Sequence, residues 1–224
     1  MKKSAYIFLL AILTPLIMVS CSSSDKITEG KISYTITFPE FDAEEHTFLS
    51  VLLPKQQVYT FKHNDLHSSV KKAMVEINII TNSERKAFYS DLKFNENKYY
   101  EGTISPDDLH HFDIEFTDKT DTIAGFNVKQ AFAKSNELGT IELWYTEEIE
   151  MSNPNWHTPY HEIPGLLIEY TLIQNGVTMH FKAAEFHDEV IDEAIFTPSR
   201  KGTQIEFEAF QNELSELFKN FLKP

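Results

Sequence analysis

The sequence predicts an α+β fold, a mostly antiparallel curved β-sheet or half-barrel with one helix packed on it at the C-terminus. Three observations predict it. Short runs in which apolar and polar residues alternate recur from Lys31 to Phe186, the period-two signature of half-buried strands. Only the segment after Thr203 carries apolar residues at helical spacing. The composition includes 18 Phe and 9 Tyr against 7 Gly, residues that suit a pleated, half-covered surface.

Taken in order, residues 31–38 place Ile32, Tyr34, Ile36 and Phe38 on one face and Ser33, Thr35 and Thr37 on the other, and Pro39 ends the run. Residues 48–53 and 57–61 read as strands divided by Pro54. Residues 73–80 alternate again, followed by 85–92 and 98–104, a loop at Ser105-Pro106-Asp107-Asp108, and a strand over 112–116. Ile123-Ala124-Gly125-Phe126 predicts a turn into a strand over 127–133. In 140–149, Ile141, Leu143 and Tyr145 point inward, leaving Trp144 on the polar face with Glu142 and Thr146. Strands 166–173 and 177–186 join through Asn175-Gly176, a pair that accepts the positive φ of a tight hairpin. Thr203 and Glu206 fit a capping box. Phe207, Phe210, Leu214, Leu217, Phe218 and Phe221 then form an amphipathic stripe that needs a partner, and the open face of the sheet is the nearest one. Strand signals spaced at about ten residues also suit a barrel.

The domain organisation follows from the first thirty residues. Lys2 and Lys3 precede an apolar run from Tyr6 to Val19, the arrangement of a secretory signal. As a helix the run would be about 21 Å long, short against about 30 Å of hydrocarbon, and Pro15 interrupts it. Met18-Val19-Ser20-Cys21 resembles the lipobox of bacterial lipoprotein precursors. The expectation is a signal peptide over 1–20, a lipidated tether over 21–30, and a single β-rich domain over 31–224. Cys21 would carry the acyl groups (diacylglycerol and palmitate-type chains). Each buried acyl methylene contributes about 0.8 kcal/mol, so two or three chains anchor stably. The expected location is the cell envelope, at the outer membrane.

Charge narrows the partners. The formal net charge is −14, and losing Lys2 and Lys3 leaves 18 basic against 34 acidic residues, a net −16. Such a chain is repelled by phosphate backbones and anionic lipid surfaces, which argues against nucleic acid and makes the lipid on Cys21 the membrane contact. With 1 Cys, neither an intramolecular disulfide nor a Cys-rich zinc site can form.

Three ordered motifs carry a family resemblance: residues 121–131 with a glycine turn, residues 141–149 with Trp144-Tyr145-Thr146, and Ile163-Pro164-Gly165-Leu166 followed by the Asn-Gly hairpin. This order resembles the GLPGLI family and its exported relatives, although Glu162-Ile163 stand where that pattern has Gly-Leu. The resemblance implies export and, by analogy, a LolA/LolB-like carrier fold whose sheet encloses an apolar cavity.

The candidate site residues are few. Trp144 is either an aromatic at a ligand mouth or a cap on the sheet edge. Pro164-Gly165 fits a type II turn or a binding loop. His157 and His161 are four apart, but Pro154, Pro159 and Pro164 disfavour the helix that would bring them to one metal. Acid pairs such as Asp107-Asp108 and Asp192-Glu193 read as solvated loop charge. No G-x-S-x-G, P-loop, H-E-x-x-H or dinucleotide pattern occurs. The reading therefore assigns no catalytic residue, metal or cofactor and expects a non-enzymatic lipoprotein. It either binds a lipid or other apolar ligand in a sheet-lined cavity or, with a filled core, serves as a structural or interaction component of an envelope complex.

Overall fold

The computed structural model describes residues 26–40, 53–72, 75–174 and 176–222. The strands are β1 (Glu29–Thr37), β2 (Gln56–Lys62), β3 (Asp65–Lys72), β4 (Val75–Asn82), β5 (Ala87–Lys93), β6 (Asn97–Gly102), β7 (Asp113–Ile123), β8 (Phe126–Ser135), β9 (Gly139–Thr146), β10 (Leu166–Gln174), β11 (Val177–His187) and β12 (Thr203–Gln204). They form one open sheet in the order β12-β6-β5-β4-β3-β2-β1-β11-β10-β9-β8-β7. Every pairing is antiparallel except that of β12 with β6. A C-terminal helix, α1 (Phe207–Leu222), completes it. The α+β class and the antiparallel sheet are as expected, but this sheet is larger than a half-barrel and does not close.

Period-two alternation locates the strands well. Ile32, Tyr34 and Ile36 are buried along β1 while their neighbours are more exposed. β3 escaped the pattern because Asp65-Leu66-His67-Ser68-Ser69-Val70-Lys71-Lys72 offers only two apolar residues, Leu66 and Val70; pairing on both sides makes it a strand. The expected strand over 48–53 lies outside the described residues apart from Leu53, which is buried. The turn before β8 is confirmed: Ala124 and Gly125 have φ of 51° and 88°, the two successive positive values of a type I′ turn.

The apolar face is filled. The segment 147–165 between β9 and β10 lays Tyr160 and Ile163 into the main core, beside Tyr34, Leu66, Tyr170 and Phe181. Trp156 from the same segment packs with Phe88 and Ile104. Between Tyr59, Tyr160, Tyr170 and Leu172 the remaining space is about 30 Å³, roughly the liquid volume of one water. The tyrosine hydroxyls are accommodated by a chain in which Tyr59 and Tyr170 share a hydrogen bond of 2.9 Å and Tyr170 donates to Gln57 Oε1 at 3.3 Å.

Helix α1 covers the sheet near β5 and β6. Phe210 and Leu217 bury against Leu92, with Val75, Ile77 and Leu214 around them, and Lys98 reaches Glu213 at 2.5 Å. The stripe thus has the partner the sequence called for. The side chains of 218–222, including Phe218 and Phe221, lie outside the described residues. Thr203 does not cap the helix. It pairs with Lys98 in β12, and the first helical bond runs from Phe210 N to Glu206 O. Ladder formation at the sheet edge outcompetes the capping box.

The functional geometry comes from a fold in the sheet. Strands β10 and β11 pair only from Glu169/Lys182 to Gln174/Val177. Beyond that point Leu166 and Leu167 pair with β9, while Ala183 to His187 pair with β1. Phe126 of β8 packs on Phe186 of β11 with ring centroids 4.9 Å apart. Three strand spacings in a flat sheet would separate those strands by about 14 Å, so the β7–β10 wing turns over towards β11.

Candidate functional site

A cleft of about 380 Å³ opens where β10 and β11 part, within the range of roughly 300–1,000 Å³ usual for small-ligand sites. It is lined by Asp121, Thr122, Ile123 and Ala124 from the β7–β8 tip and by Trp144, Glu169, Lys182 and Ala183 from β9, β10 and β11. Register places these residues together: Trp144 stands opposite Glu169, and Glu169 opposite Lys182. β-bulges make the convergence possible. Register shifts lie between Leu167 and Glu169, between Ser33 and Tyr34 on the β1–β11 pair, and between Phe116 and Thr120 on β7. Each re-aims the side chains beyond it.

Glu169 is the polar centre. It accepts from Lys182 Nζ at 2.7 Å and meets His180 Nε2 at 3.1 Å. The other ring nitrogen of His180 lies 3.1 Å from Thr171 Oγ1. Hydroxyl, imidazole and carboxylate thus stand in line, an order that nucleophilic sites use. Here the hydroxyl sits mid-strand, in a register-matched pair with His180, and backbone donors committed to a ladder cannot form an oxyanion hole. The row is a cross-strand polar network that fixes the Glu169 carboxylate.

Trp144 is only 7% exposed. Lys119 lies over its ring, with Nζ 4.9 Å from the centroid. The bulge that carries Lys119 is pinned by Thr117 Oγ1, which bonds Gln130 Oε1 at 3.0 Å, and Gln130 Nε2 donates onward to Glu142 at 2.5 Å. Two carboxylates, Asp121 and Glu169, and one ammonium group, Lys182, line the cleft; Lys182 is paired with Glu169, and Lys119 lies beside the cleft over Trp144. These groups offer hydrogen-bond acceptors and a donor next to an aromatic ring.

The expected site residues are distributed differently. Cys21 lies outside the described residues. Trp144 lines the cleft, but it is buried rather than standing on an open polar face, because the sheet fold covers that side and Thr146 with it. Pro164 belongs to a different, larger cleft of about 550 Å³ with Lys26, His63, Glu147 and Glu150. Gly165 does not have the positive φ of a type II turn; a Cβ there would collide with the Thr146 carbonyl, so close backbone approach is what requires glycine. His157 and His161 lie in turns, and no cluster of three metal-ligating side chains occurs among the described residues. Asp192 caps a short 3-10 turn by accepting from Ala194 N at 2.9 Å. Sequence reasoning missed Lys119, Asp121, Glu169 and Lys182. Each sits in a strand whose alternation gives no sign of the bulges that bring them together.

Comparison with known proteins gives a consistent relationship. The solved structure of PNGF-II in its P21 space group matches with a TM-score of 0.56 at 15% identity, over 83% of this chain and 33% of that one. The C2 form gives a TM-score of 0.55 at 16% identity, over 83% and 32%. At that identity the likeness is one of fold, and the chain spans about a third of the solved PNGF-II chains. No curated protein matches. The resemblance to the GLPGLI family and to LolA-type carriers is overturned, because the family model that matches is a different one. The residues that suggested it form the β7–β8 turn, the β9 strand and the β10–β11 hairpin; such turn chemistry recurs in unrelated antiparallel sheets. The matching model, described as the N-terminal domain of an N-glycanase peptide, covers residues 32–177, and the chain belongs to that family.

Proposed function

We propose that this chain is a non-catalytic envelope lipoprotein, anchored at the outer membrane through acylated Cys21, that recognises the saccharide of a glycosylated partner. The observation that carries the reading is the cleft that sets two carboxylates and an ammonium group beside Trp144 in its wall. Carboxylates of Asp121 and Glu169 accept hydrogen bonds from hydroxyl groups, Lys182 donates one, and the indole supplies apolar surface for a sugar ring. The family description, an N-glycanase N-terminal domain, supports a saccharide-bearing ligand. Of the two roles expected from the sequence, the filled apolar face supports interaction over carriage of a lipid.

Two measurements test this. Titration of the full chain with an N-glycosylated peptide, followed by ¹⁵N-indole NMR, is expected to shift the Trp144 resonance, and the same peptide without its glycan is expected to leave it in place. Equal shifts with both peptides, or none with either, reject saccharide recognition. Intact mass of the membrane-extracted protein is expected to show a chain beginning at Cys21 with added acyl mass; an unmodified Cys21 rejects the anchor.

A further inference from the structure

The bulge in β7 has an effect at the cleft that edge protection does not account for. Edge strands commonly carry a bulge and a lysine to discourage pairing with another chain, and a lysine with only that role would project into solvent. Lys119 is exposed, yet its Nζ lies 4.9 Å from the centre of the Trp144 ring. The bulge holds it there: Lys119 N donates to Thr117 Oγ1 at 3.2 Å, and Thr117 Oγ1 is tied to Gln130 O at 3.3 Å and Gln130 Oε1 at 3.0 Å. Neighbouring lysines are committed to carboxylates. Lys182 pairs with Glu169, Lys129 with Glu147 and Lys134 with Glu115. Among the described residues, no carboxylate lies within ion-pair distance of Lys119, although Asp118 and Asp121 are close in sequence. Its side chain is free to leave the ring without breaking an ion pair.

We infer that Lys119, beside the cleft, is a displaceable cover on the Trp144 ring that yields to a ring-shaped ligand stacking on the indole. The inference rests on the saccharide reading for its ligand, but the cover itself can be tested without any ligand. A cation–π contact at a solvent-accessible site is weak, so a sugar ring stacking on the indole can replace it.

The experiment uses the ¹⁵N-indole-labelled full chain, its Lys119→Ala and Lys119→Arg variants, a soluble paramagnetic probe and the N-glycosylated peptide. Trp156, covered by Lys86 at 5.2 Å, serves as the internal control. In Lys119→Ala the broadening of Trp144 by the probe is expected to rise while Trp156 stays unchanged, and Lys119→Arg is expected to behave as wild type. The glycopeptide is expected to bind Lys119→Ala about two- to fivefold more tightly, the release of one weak cation–π contact. If Trp144 broadens equally in all three proteins, there is no cover and the inference is overturned. If accessibility rises but wild type and Lys119→Ala bind the glycopeptide equally, the role of the cover in ligand binding is overturned. If accessibility rises and neither protein binds, the cover is supported and the saccharide reading is the part that fails.

Discussion

Acidification is expected to weaken the docking of segment 147–165 through one histidine. The Nδ1 atom of His157 is buried without a hydrogen-bond partner. Its ring packs 5.8 Å from Phe88 and 5.5 Å from Trp156. Burial in these rings, with a smaller contribution from the Lys86 ammonium, lowers its pKa from 6.5 to about 4. The folded protein therefore holds the neutral imidazole, while the unfolded chain takes up a proton below pH 6.5. Between those values the unfolded state binds more protons, so stability is complete above pH 6.5 and is lost as pH falls towards 4. Integrated from pH 7.5 to 5, that shift gives a loss of about 2 kcal/mol. His157 as a residue is half-buried, and water reaching it makes this an upper value. Urea unfolding of the full chain at pH 7.5 and pH 5 measures it. His157→Phe keeps the ring packing and removes the titration, so its loss over the same interval is expected to be smaller by most of that amount. Equal losses in the two proteins would refute the reasoning.

Three further outcomes are expected. Glu76 accepts from Asn78 and Lys93, at 3.0 and 2.8 Å, and its pKa falls to about 2; its contribution persists above pH 4.5 and is lost as pH drops towards 2, so Glu76→Gln flattens the acid limb of a stability profile below the window of His157. Gly165→Ala forces a methyl group into the Thr146 carbonyl and is expected to cost about 1–3 kcal/mol, whereas Gly125→Ala, which meets nothing and strains only a φ of 88°, is expected to stay at the low end of that range, about 1 kcal/mol; thermal melts that rank the two in reverse contradict the close-approach account. Leu217→Ala empties a site 4% exposed beneath α1 and is expected to cost about 2–5 kcal/mol, and an unchanged urea midpoint would mean the helix is not part of the core.

Much of the fold could be read from the sequence because its determinants are local. Alternation marks β1, β2, β4 and the later strands, Ala124-Gly125 marks a turn, and the stripe of Phe207, Phe210, Leu214 and Leu217 marks α1. β3 could not be read, because its six polar residues become a strand only when β2 and β4 supply the ladder. Thr203 was misread for the same kind of reason: a local capping preference of about 1 kcal/mol loses to pairing with β6, which the local sequence does not encode.

The cleft is a harder case, and Trp144 shows why. Period-two reasoning places it on the Glu142 face and is right about the side: it lies beside Glu169 and Lys119. What fails is the inference from that side to solvent. In a flat sheet the face opposite Ile141 and Leu143 would be wet along its whole length. Here β10 and β11 separate above Glu169 and Lys182, Phe126 crosses to Phe186, and the polar face closes on itself around Trp144. The cause is distributed over three register shifts in three strand pairs. Each is a one- or two-residue change with no sequence signature of its own, yet each moves every side chain beyond it. A site made by adding bulges therefore draws its residues from strands that look ordinary one at a time. Its existence follows from their combination: the β7 bulge brings Lys119 to the Trp144 ring although residues 117–119 supply none of the cleft's lining.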